Sequence, residues 1–460
     1  MQATIFTVTV LILSLIGYYM GRSRAVSSVD GNIRELHSLP RHYGYYVGMW
    51  CGLPALFICI AWLLFEPQIV NSVVLSGVSS ITPETSSAMV ARILSDIKFI
   101  AANGSGVSKA TPELIVAAEH YLELKQIGST ALAIALVSIA IIGLLIGKKS
   151  VGAKLQARDQ VERVIRYVLL ASSIVAILTT IGIVSSLLFE AIRFFGKIPL
   201  TDFLFGVEWS PQIAMRKDQV ASEGAFGAVP IFAGTMLISF IAMCVAVPVG
   251  LMSAVYMSEY ASPKIRGIGK PVLEILAGIP TVVYGFFAAL VVAPTIRNIG
   301  EGWGLEVASE SALAAGLVMG IMIIPFVSSL SDDVIRAVPQ SLRDGSYALG
   351  GTKSETVLQV VLPAALPGIV GGIMLAISRA IGETMIVVMA AGLSANLTAN
   401  PLHAVTTATV QMVTLLVGDQ EFDSPKTLAA FALGLVLFCV TLCLNVIALR
   451  VVAKYREKYD

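Results

Sequence analysis

The sequence predicts an all-α, polytopic membrane protein with about nine transmembrane helices. Of its 460 residues, 56% are hydrophobic and 13% are charged, whereas soluble domains carry roughly 25% charged residues. Apolar runs of about 18 or more residues are long enough to cross a bilayer as helices. Such runs lie near residues 3–20, 43–65, 129–147, 167–189, 228–257, 271–296, 311–330, 364–392 and 427–449. We expect the first run to be a retained anchor rather than a signal peptide, because no basic residue precedes it.

Lysine and arginine side chains concentrate in alternate segments between the predicted helices. The segments 21–42, 148–166, 258–270, 331–363 and 450–460 hold 20 of the 31, and the segments between them hold 10. Cytoplasmic loops are enriched in basic residues. We therefore expect the C-terminus and the 331–363 loop to lie in the cytoplasm and the N-terminus to lie outside.

The basic segment 148–166 divides the predicted helices into two groups. Residues 1–150 are predicted to be an N-terminal extension with three transmembrane helices, and residues 151–460 to be a six-helix domain. The extension includes an outer insertion, residues 66–128, in which Thr82-Pro83-Glu84 and Thr111-Pro112-Glu113 both resemble helix starts. Each offers a threonine N-cap, a proline at the first helical position and an early acidic residue. The insertion is therefore predicted to be a helical hairpin outside the membrane.

Two charged residues interrupt the apolar run 364–392, in the stretch SRAIGETM: Arg379 and Glu383. A charge at the bilayer centre costs roughly 2.5–3.5 kcal/mol on insertion scales, so such residues face the protein interior and are candidates for function. On a continuous helix the two side chains share a face at i and i+4. Arginine can hold an oxyanion such as phosphate by two parallel hydrogen bonds, Glu383 could compete for the guanidinium, and Thr384 adds a hydroxyl. We predict that these residues line a substrate path; a buried ion pair that fixes helix packing is the alternative.

Small residues recur at four-residue intervals on the same predicted helix. They are Gly368, Gly372, Ala376 and Ala380. Such a ridge allows another helix to approach closely. We therefore expect the neighbouring charges to lie at a helix interface rather than in lipid.

A second predicted helix contains a break at Gly278-Ile279-Pro280, because Pro280 cannot donate a backbone hydrogen bond. A break at membrane depth is tolerated only where protein or a cavity surrounds it. Tyr284 supplies a hydroxyl about one turn further along, and we include it in the predicted substrate path. A kink needed only for packing is equally compatible with this pattern.

The sequence offers no sign of catalysis, of a metal site or of nucleic-acid binding. The net charge is +1, and the five cysteines and four histidines lack the spacing of metal ligands. The stretches GLLIGKKS (143–150) and GGTKSET (350–356) both fail the GxxxxGK[ST] spacing of a phosphate-binding loop. We therefore predict a transport protein, not an enzyme, that binds no cofactor itself. It would be passive, ion-coupled or driven by a separate subunit.

The 331–363 loop reads SDDVIRAVPQSLRDGSYALGGTKSETVLQVVLP. It is predicted to form a short helix, a glycine turn and a second segment that ends at Leu-Pro. It resembles the EAA loop of ABC-transporter permeases, EAA-xxx-G-x(9)-I-x-LP. The matching residues are Asp344, Gly345 and Ser346 at the leading triplet, Gly350 at the glycine, Val360 at the aliphatic position and Leu362-Pro363 at the end. Asp344 and Gly345 depart from the usual Glu-Ala. In that family the loop forms coupling helices that dock in a groove of the ATPase subunit, and the resemblance implies the same role here.

Three further stretches, together with SRAIGETM, resemble the PstC-type permeases of bacterial phosphate-specific ABC importers. They are FLFGVEWSP (203–211), AVPVGLMSAVYMSEYASP (246–263) and AGIPTVVYGFF (277–287). The resemblance covers about residues 160–455 and implies a type I importer permease core of six helices. It also implies a second, PstA-like permease, a PstB-like ATPase dimer that uses ATP and Mg²⁺, a PstS-like binding protein outside, and a location in the bacterial inner membrane. In this family the positions of Arg379 and Glu383 are implicated in phosphate passage.

Several alternatives remain open at this point. A permease for another oxyanion, such as molybdate or sulfate, would share the loop but differ in its path residues. An ion-coupled secondary transporter could use Arg379 and Glu383 as a relay, although the 331–363 loop disfavours it. The permeases of this family are also associated with sensing of external phosphate through a signalling regulator, which the N-terminal spans could serve.

Overall fold

Regular structure in this chain is almost entirely helical. The computed structural model describes residues 2–78, 87–103, 112–211, 224–417 and 423–455. Within these ranges the strands are β1 (Trp209–Ser210) and β2 (Ala225–Phe226), which pair antiparallel. Helices in the described ranges that are long and apolar enough to cross a membrane are Thr4–Ser27, Pro40–Ser76, Pro112–Ser150, Ala157–Phe195, Val229–Tyr260, Thr281–Gly302, Ala312–Ala337, Lys353–Ile381 and Pro425–Lys454. The predicted all-α, polytopic membrane fold with about nine transmembrane helices is confirmed.

The chain divides into two compact units, Met1–Leu178 and Thr179–Asp460. The division falls within a helix and lies later than the predicted boundary after residue 150. Residues 151–161 explain the difference, because Val151, Ala157 and Val161 are buried in a cluster with Tyr43 and other residues of the first unit. The elements of this unit are α1 (Gln2–Ser27), a short 3₁₀ turn (Ile33–Glu35), α2 (Pro40–Ser76), α3 (Ser87–Asn103), α4 (Pro112–Ser150) and the first part of α5 (Ala157–Phe195).

Glycines allow the long helices of the first unit to touch. A Cβ on Gly21 of α1 would lie 2.7 Å from the Tyr43 carbonyl oxygen, and one on Gly143 of α4 would lie 2.1 Å from that of Trp50. Any larger residue would therefore push α1 or α4 away from α2. The Tyr43 hydroxyl donates to the Leu155 carbonyl at 3.0 Å, which ties α2 to the loop that precedes α5.

The predicted outer hairpin corresponds to α3 and the beginning of α4. Val70 and Val74 near the end of α2, Ile97 of α3 and Ala117 of α4 are buried together in one cluster. The structure differs from the prediction in one respect, since α4 continues without interruption from Pro112 to Ser150 and so joins the hairpin helix to the third membrane span. The predicted N-caps Thr82 and Thr111 lie outside the described residues.

The second unit contains the remaining elements. They are α6 (Leu200–Phe205), β1, β2, α7 (Val229–Val255), π1 (Tyr256–Tyr260), α8 (Pro263–Gly278), α9 (Thr281–Phe287), π2 (Ala288–Val292), α10 (Ala293–Gly302), α11 (Ala312–Ala337), α12 (Gln340–Ala348), α13 (Lys353–Thr356), π3 (Val357–Val361), α14 (Leu362–Ile381), α15 (Met385–Ala390), α16 (Ala408–Leu416) and α17 (Pro425–Tyr455). The segments π1, π2 and π3 are wide π-helical turns. Such turns are rare and recur at functional sites.

Helix α11 is the centre of the second unit. It packs on α7 at close range, because a Cβ on Gly320 would lie 2.9 Å from the Ala242 carbonyl oxygen. The predicted small-residue ridge of α14 contacts α11 nearer to its C-terminal end. A Cβ on Gly368 would lie 2.4 Å from Val334, and one on Gly372 would lie 3.2 Å from Leu330. The expectation that the ridge admits another helix is therefore confirmed, and that helix is α11.

Two of the predicted spans are broken in the structure. The run 271–296 is divided into α8 and α9, with Ile279 and Pro280 extended between them. The run 364–392 is divided into α14 and α15. Conversely, the second segment of the 331–363 loop does not end at Leu-Pro, because α13, π3 and α14 form one continuous helix from Lys353 to Ile381. Leu362 and Pro363 therefore lie inside this continuous helix, directly after the π turn π3.

Candidate functional site

The stretch SRAIGETM lies at the break between α14 and α15. Gly382 ends α14, and its amide donates to the Ser378 carbonyl at 3.3 Å. The chain then turns tightly, with the Glu383 amide donating to the Ala380 carbonyl at 3.2 Å. Glycine favours such an end because it has low helix propensity and little steric restriction. The break therefore places Glu383 and Thr384 outside the helix that carries Arg379.

Glu383 contacts the start of α15 rather than Arg379. Its Oε1 accepts from the Met385 amide at 3.1 Å and from the Ile386 amide at 3.4 Å. A carboxylate in this position satisfies amides that have no partner within the helix. The i,i+4 face expected of a continuous helix is therefore not formed, and among the described residues no ion pair joins Glu383 to Arg379, which disfavours the alternative of a structural pair. Thr384 contributes a hydroxyl that donates to the Gly382 carbonyl at 3.4 Å.

Arg379 carries its charge without a carboxylate partner in this part of the chain. Its guanidinium lies over the ring of Phe326 in α11, 5.5 Å from the centroid. Among the described residues no ion pair shorter than 4.0 Å includes Arg379, and the residue is exposed on the second unit. An aromatic face is a weaker partner than a carboxylate, so the hydrogen-bond donors of Arg379 remain available for an anion.

Two neighbouring helices hold the break in place. Thr409 of α16 donates from its hydroxyl to the Glu383 carbonyl at 2.9 Å. Ser378 donates to the side-chain oxygen of Asn445 in α17 at 3.0 Å. Sequence reasoning missed both partners, since a lone threonine or asparagine in an apolar run gives no signal of its own. They satisfy polar groups that lipid could not satisfy.

The break at Gly278–Pro280 has its own internal hydrogen bond. Tyr284 is buried and its hydroxyl donates to the Leu276 carbonyl, near the end of α8, at 2.8 Å. Carbonyls in the last turn of a helix lack an intrahelical donor, so this bond joins α8 and α9 across the kink. Gly278 has open space around it, because a Cβ there would meet nothing within 4 Å.

The structure brings the two broken helices together. A Cβ on Gly285 of α9 would lie 2.7 Å from the sulfur of Met389 and 3.1 Å from the Met385 carbonyl oxygen, both in α15. Tyr284 therefore lies next to a residue that contacts the helix capped by Glu383. The predicted path residues Arg379, Glu383, Thr384 and Tyr284 belong to adjacent breaks within one unit, and their role in transport stays a prediction.

The 331–363 loop forms the helix and glycine turn that its sequence predicts. After α12 the Gly351 amide donates to the Ser346 carbonyl and the Gly350 amide to the Tyr347 carbonyl, both at 3.0 Å. This is the Schellman pattern, in which the residue after the cap adopts a left-handed conformation. Gly350 does so, with φ +85°. Ser346 and Thr356 share a hydroxyl hydrogen bond of 2.8 Å that holds α12 against α13.

The tip of this loop presents an apolar side chain between polar ones. Leu349 is 92% exposed, and Asp344, Gly345 and Gly350 are exposed as well. Helix α13 begins with a capping box, in which Thr352 and Glu355 exchange hydrogen bonds. The loop is thus ordered by its own contacts, with Asp344, Gly345 and the tip exposed while Ser346 is turned toward Thr356.

Two charged clusters beside the loop were not predicted. Asp332 of α11 is only 5% exposed, and it lies 2.7 Å from Arg336, 3.4 Å from Lys270 and 3.5 Å from Arg266. A cavity of about 410 Å³ lies against these three basic side chains. Separately, Arg343 of α12 pairs with Glu259 of π1 at 2.9 Å. Arg336 lies four positions after Asp332, a local helical spacing, whereas Lys270 and Glu259 lie 62 and 84 positions from their partners and follow no local spacing.

Comparison with known families agrees with these features. Residues 246–457 match the family model described as the binding-protein-dependent transport system inner membrane component. Residues 7–179 match the family model described as phosphate ATP-binding cassette transporter. The match over residues 7–179 ends within one residue of the division between the two structural units.

Similar individual proteins are bacterial permeases. The probable ABC transporter permease protein YqgH of Bacillus subtilis is 32% identical over 199 residues, which is 42% of this chain and 60% of that protein. The phosphate transport system permease protein PstC of Xylella fastidiosa is 33% identical over 33% of this chain and 49% of its own length. PstC of Haemophilus influenzae is 32% identical over 37% of this chain and 55% of its own. The chain thus spans about half the length of the curated relatives it matches.

Among solved structures, the MetNI methionine ABC transporter in an inward-facing conformation aligns with 50% of this chain and 95% of its own. The identity is 19% and the TM-score 0.38, too low to support further comparison. The two family matches cover residues 7–179 and 246–457, and the PstC relatives named above match about a third of the chain. This chain is thus similar to ABC-transporter permeases, among them the phosphate permeases named PstC.

Proposed function

We propose that this chain is a membrane-spanning permease subunit of an ATP-driven importer of inorganic phosphate. One observation carries the proposal: Arg379 lies at a broken membrane helix, exposed and without an acidic partner among the described residues. Hydrocarbon would not accommodate such a charge. A path for an oxyanion, completed by a second permease subunit, would supply both water and a ligand for it.

Arginine suits this task because its planar fork forms bidentate hydrogen bonds with phosphate and stays charged when it is desolvated. Helix breaks allow polar backbone groups to line a path at membrane depth. The engagement of Glu383 with the amides of α15 changes its role. We infer that Glu383 positions the break rather than competing directly for the guanidinium.

The exposed tip of the 331–363 loop supports the further proposal of partner subunits. We propose that a PstB-like ATPase dimer receives α12 and the exposed Leu349 in a groove. ATP and Mg²⁺ would be bound by that ATPase and not by this chain. A PstA-like permease and a PstS-like binding protein outside the membrane would complete the importer. The chain would perform no covalent chemistry. We place it in the bacterial inner membrane with its N-terminus outside and its C-terminus in the cytoplasm.

Substitution of Arg379 tests the proposal directly. In vesicles that contain all subunits, Arg379→Ala should lower phosphate uptake by about tenfold to a hundredfold, because a hydrogen bond to a charged group contributes about 1.5–3 kcal/mol. Arg379→Lys keeps the charge but lacks the planar guanidinium, so its phosphate uptake should lie between those of the unmodified complex and of Arg379→Ala. Co-purification of the ATPase with each variant establishes that the complex assembles.

Arg297 provides the control, because it is an exposed arginine of α10 that is paired with Glu301 at 2.7 Å. Arg297→Ala should retain uptake. Normal uptake in an assembled Arg379→Ala complex would refute the role of Arg379. Competition with excess molybdate or sulfate tests the substrate class, since an importer of either anion would lose phosphate uptake in its presence.

A further inference from the structure

Helix α12 contacts the rest of the second unit through Leu342, Arg343 and Ser346. Of its nine residues, Arg343 is the buried one, with 9% of its surface exposed. Arginine is rarely buried unless its charge is paired and its donors are satisfied. The burial of Arg343 in a short, otherwise exposed helix therefore needs a reason beyond local helix formation.

Its guanidinium satisfies this requirement by donating to three acceptors on two other elements, α11 and π1. Nη1 donates to the Val338 carbonyl at 2.6 Å, and Nη2 donates to the Ile335 carbonyl at 2.9 Å. Both carbonyls lie at the C-terminal end of α11. Carbonyls there have no amide partner within the helix, and the helix dipole favours a cation. Nη2 also donates to Glu259 of π1 at 2.9 Å, and Nε lies 3.3 Å from the same oxygen. Arg343 thereby connects α12 to the end of α11 and to the π turn that follows α7.

The ion pair is well enclosed. The side chains of Arg343 and Glu259 are 11% and 10% exposed, so water screens their attraction only weakly. Removal of either partner would leave a buried charge uncompensated. A displacement of α12 consequently has to move the ends of α7 and α11 with it or break this pair.

The other end of this connection reaches the proposed path. Helix α11 carries Phe326, on whose ring Arg379 lies, nine positions before Ile335. At 1.5 Å per residue these positions are about 14 Å apart along one helix. The close packing of α7 and α11 at Gly320 and Gly250 leaves little room for either helix to move alone.

We propose that Arg343 is a positioning residue that couples the ATPase-facing helix α12 to the membrane helices α7 and α11, and through Phe326 to Arg379. Glu259 is its partner in this role. The proposal rests on the proposed function, since it assumes that an ATPase moves α12. The two proposals can be tested separately, because the role of Arg343 concerns the phosphate transported per ATP hydrolysed and not the identity of the substrate.

The test uses the complete importer in vesicles and measures phosphate uptake and ATP hydrolysis on the same sample. Arg343→Gln leaves Glu259 enclosed and unpaired, which disfavours folding and assembly, so the double variant Glu259→Gln/Arg343→Gln removes both charges together. We expect the double variant to assemble and to hydrolyse ATP, while phosphate transported per ATP falls by between about twofold and thirtyfold, the range for residues that mediate coupling. Arg343→Lys should give a smaller loss, since it keeps the charge but cannot reach all three acceptors.

The matched control is Arg297→Gln/Glu301→Gln, which removes an exposed arginine–glutamate pair of 2.7 Å elsewhere in the same unit. It should keep the wild-type ratio of phosphate to ATP. A wild-type ratio in the assembled Glu259→Gln/Arg343→Gln complex would overturn the proposal. Failure of the double variant and of Arg343→Lys to assemble would also overturn it, because the pair would then serve folding alone. Absence of phosphate uptake by the unmodified complex would instead refute the proposed function.

Discussion

At the scale of single residues, the charged side chains beside the α14–α15 break contact the groups that the local backbone places next to them. Glu383 accepts from two backbone amides because the helix ends before it. Arg379 is left with an aromatic ring. The spacing of four between them suggested a pair, but that inference holds only on an uninterrupted helix. The end of α14 at Gly382 therefore decides which groups Glu383 and Arg379 contact.

Asp332 shows the opposite situation, in which one carboxylate serves three cations. Because it is 5% exposed and contacts Arg336, Lys270 and Arg266, Asp332→Asn should destabilise the protein by about 3–5 kcal/mol, as expected when one partner of a buried ion pair is removed. Thermal unfolding in detergent measures this. The neighbouring Asp333 is 65% exposed, and Asp333→Asn should change stability by less than about 0.5 kcal/mol. Equal effects of the two substitutions would contradict the assignment of Asp332 as the centre of the cluster.

At the scale of elements, the 331–363 loop is built from local rules and then fixed by distant ones. Its turn and capping box follow from glycine and threonine at the ends of helices. Its attachment depends on Arg343 and Glu259, which are 84 positions apart. The shape of the loop could thus be predicted from sequence, but its orientation on the membrane helices could not.

Two glycines of this loop should respond oppositely to alanine. Gly350 has φ +85°, where a Cβ costs roughly 1–2 kcal/mol, so Gly350→Ala should lower the midpoint of thermal unfolding and reduce co-purification of the ATPase. Gly345 lies inside α12 with open space around its Cα. Gly345→Ala should therefore stabilise the helix by up to about 1 kcal/mol. A stabilising Gly350→Ala substitution would show that the turn has a different conformation.

At the scale of the whole molecule, the distribution of basic residues is the basis for the proposed orientation of the chain in the membrane. Alternate segments hold 20 and 10 of the lysines and arginines. The proposed topology follows from this bias, with the 148–166 segment inside and the connection between α10 and α11 outside.

Cysteine labelling tests this topology. Ser150 is exposed at the end of α4, and Trp303 is 79% exposed after α10. A membrane-impermeant maleimide should label Ser150→Cys in inside-out vesicles and Trp303→Cys in right-side-out vesicles. The unmodified chain controls for its own cysteines, of which Cys244, Cys439 and Cys443 are exposed. The reverse labelling pattern would contradict the proposed orientation.

The fold class, the approximate spans, the small-residue ridge and the turn at Gly350 could all be predicted from the amino-acid sequence. These features depend on hydropathy, residue size and backbone preference, which act over a few residues. The folded chain was needed to establish that α14 ends at Gly382, that Thr409 and Asn445 hold the break, and that Arg343 joins α12 to α11 and π1. Those outcomes depend on which buried donors and acceptors meet across long separations, because each polar group removed from water must find a partner wherever the folded chain supplies one.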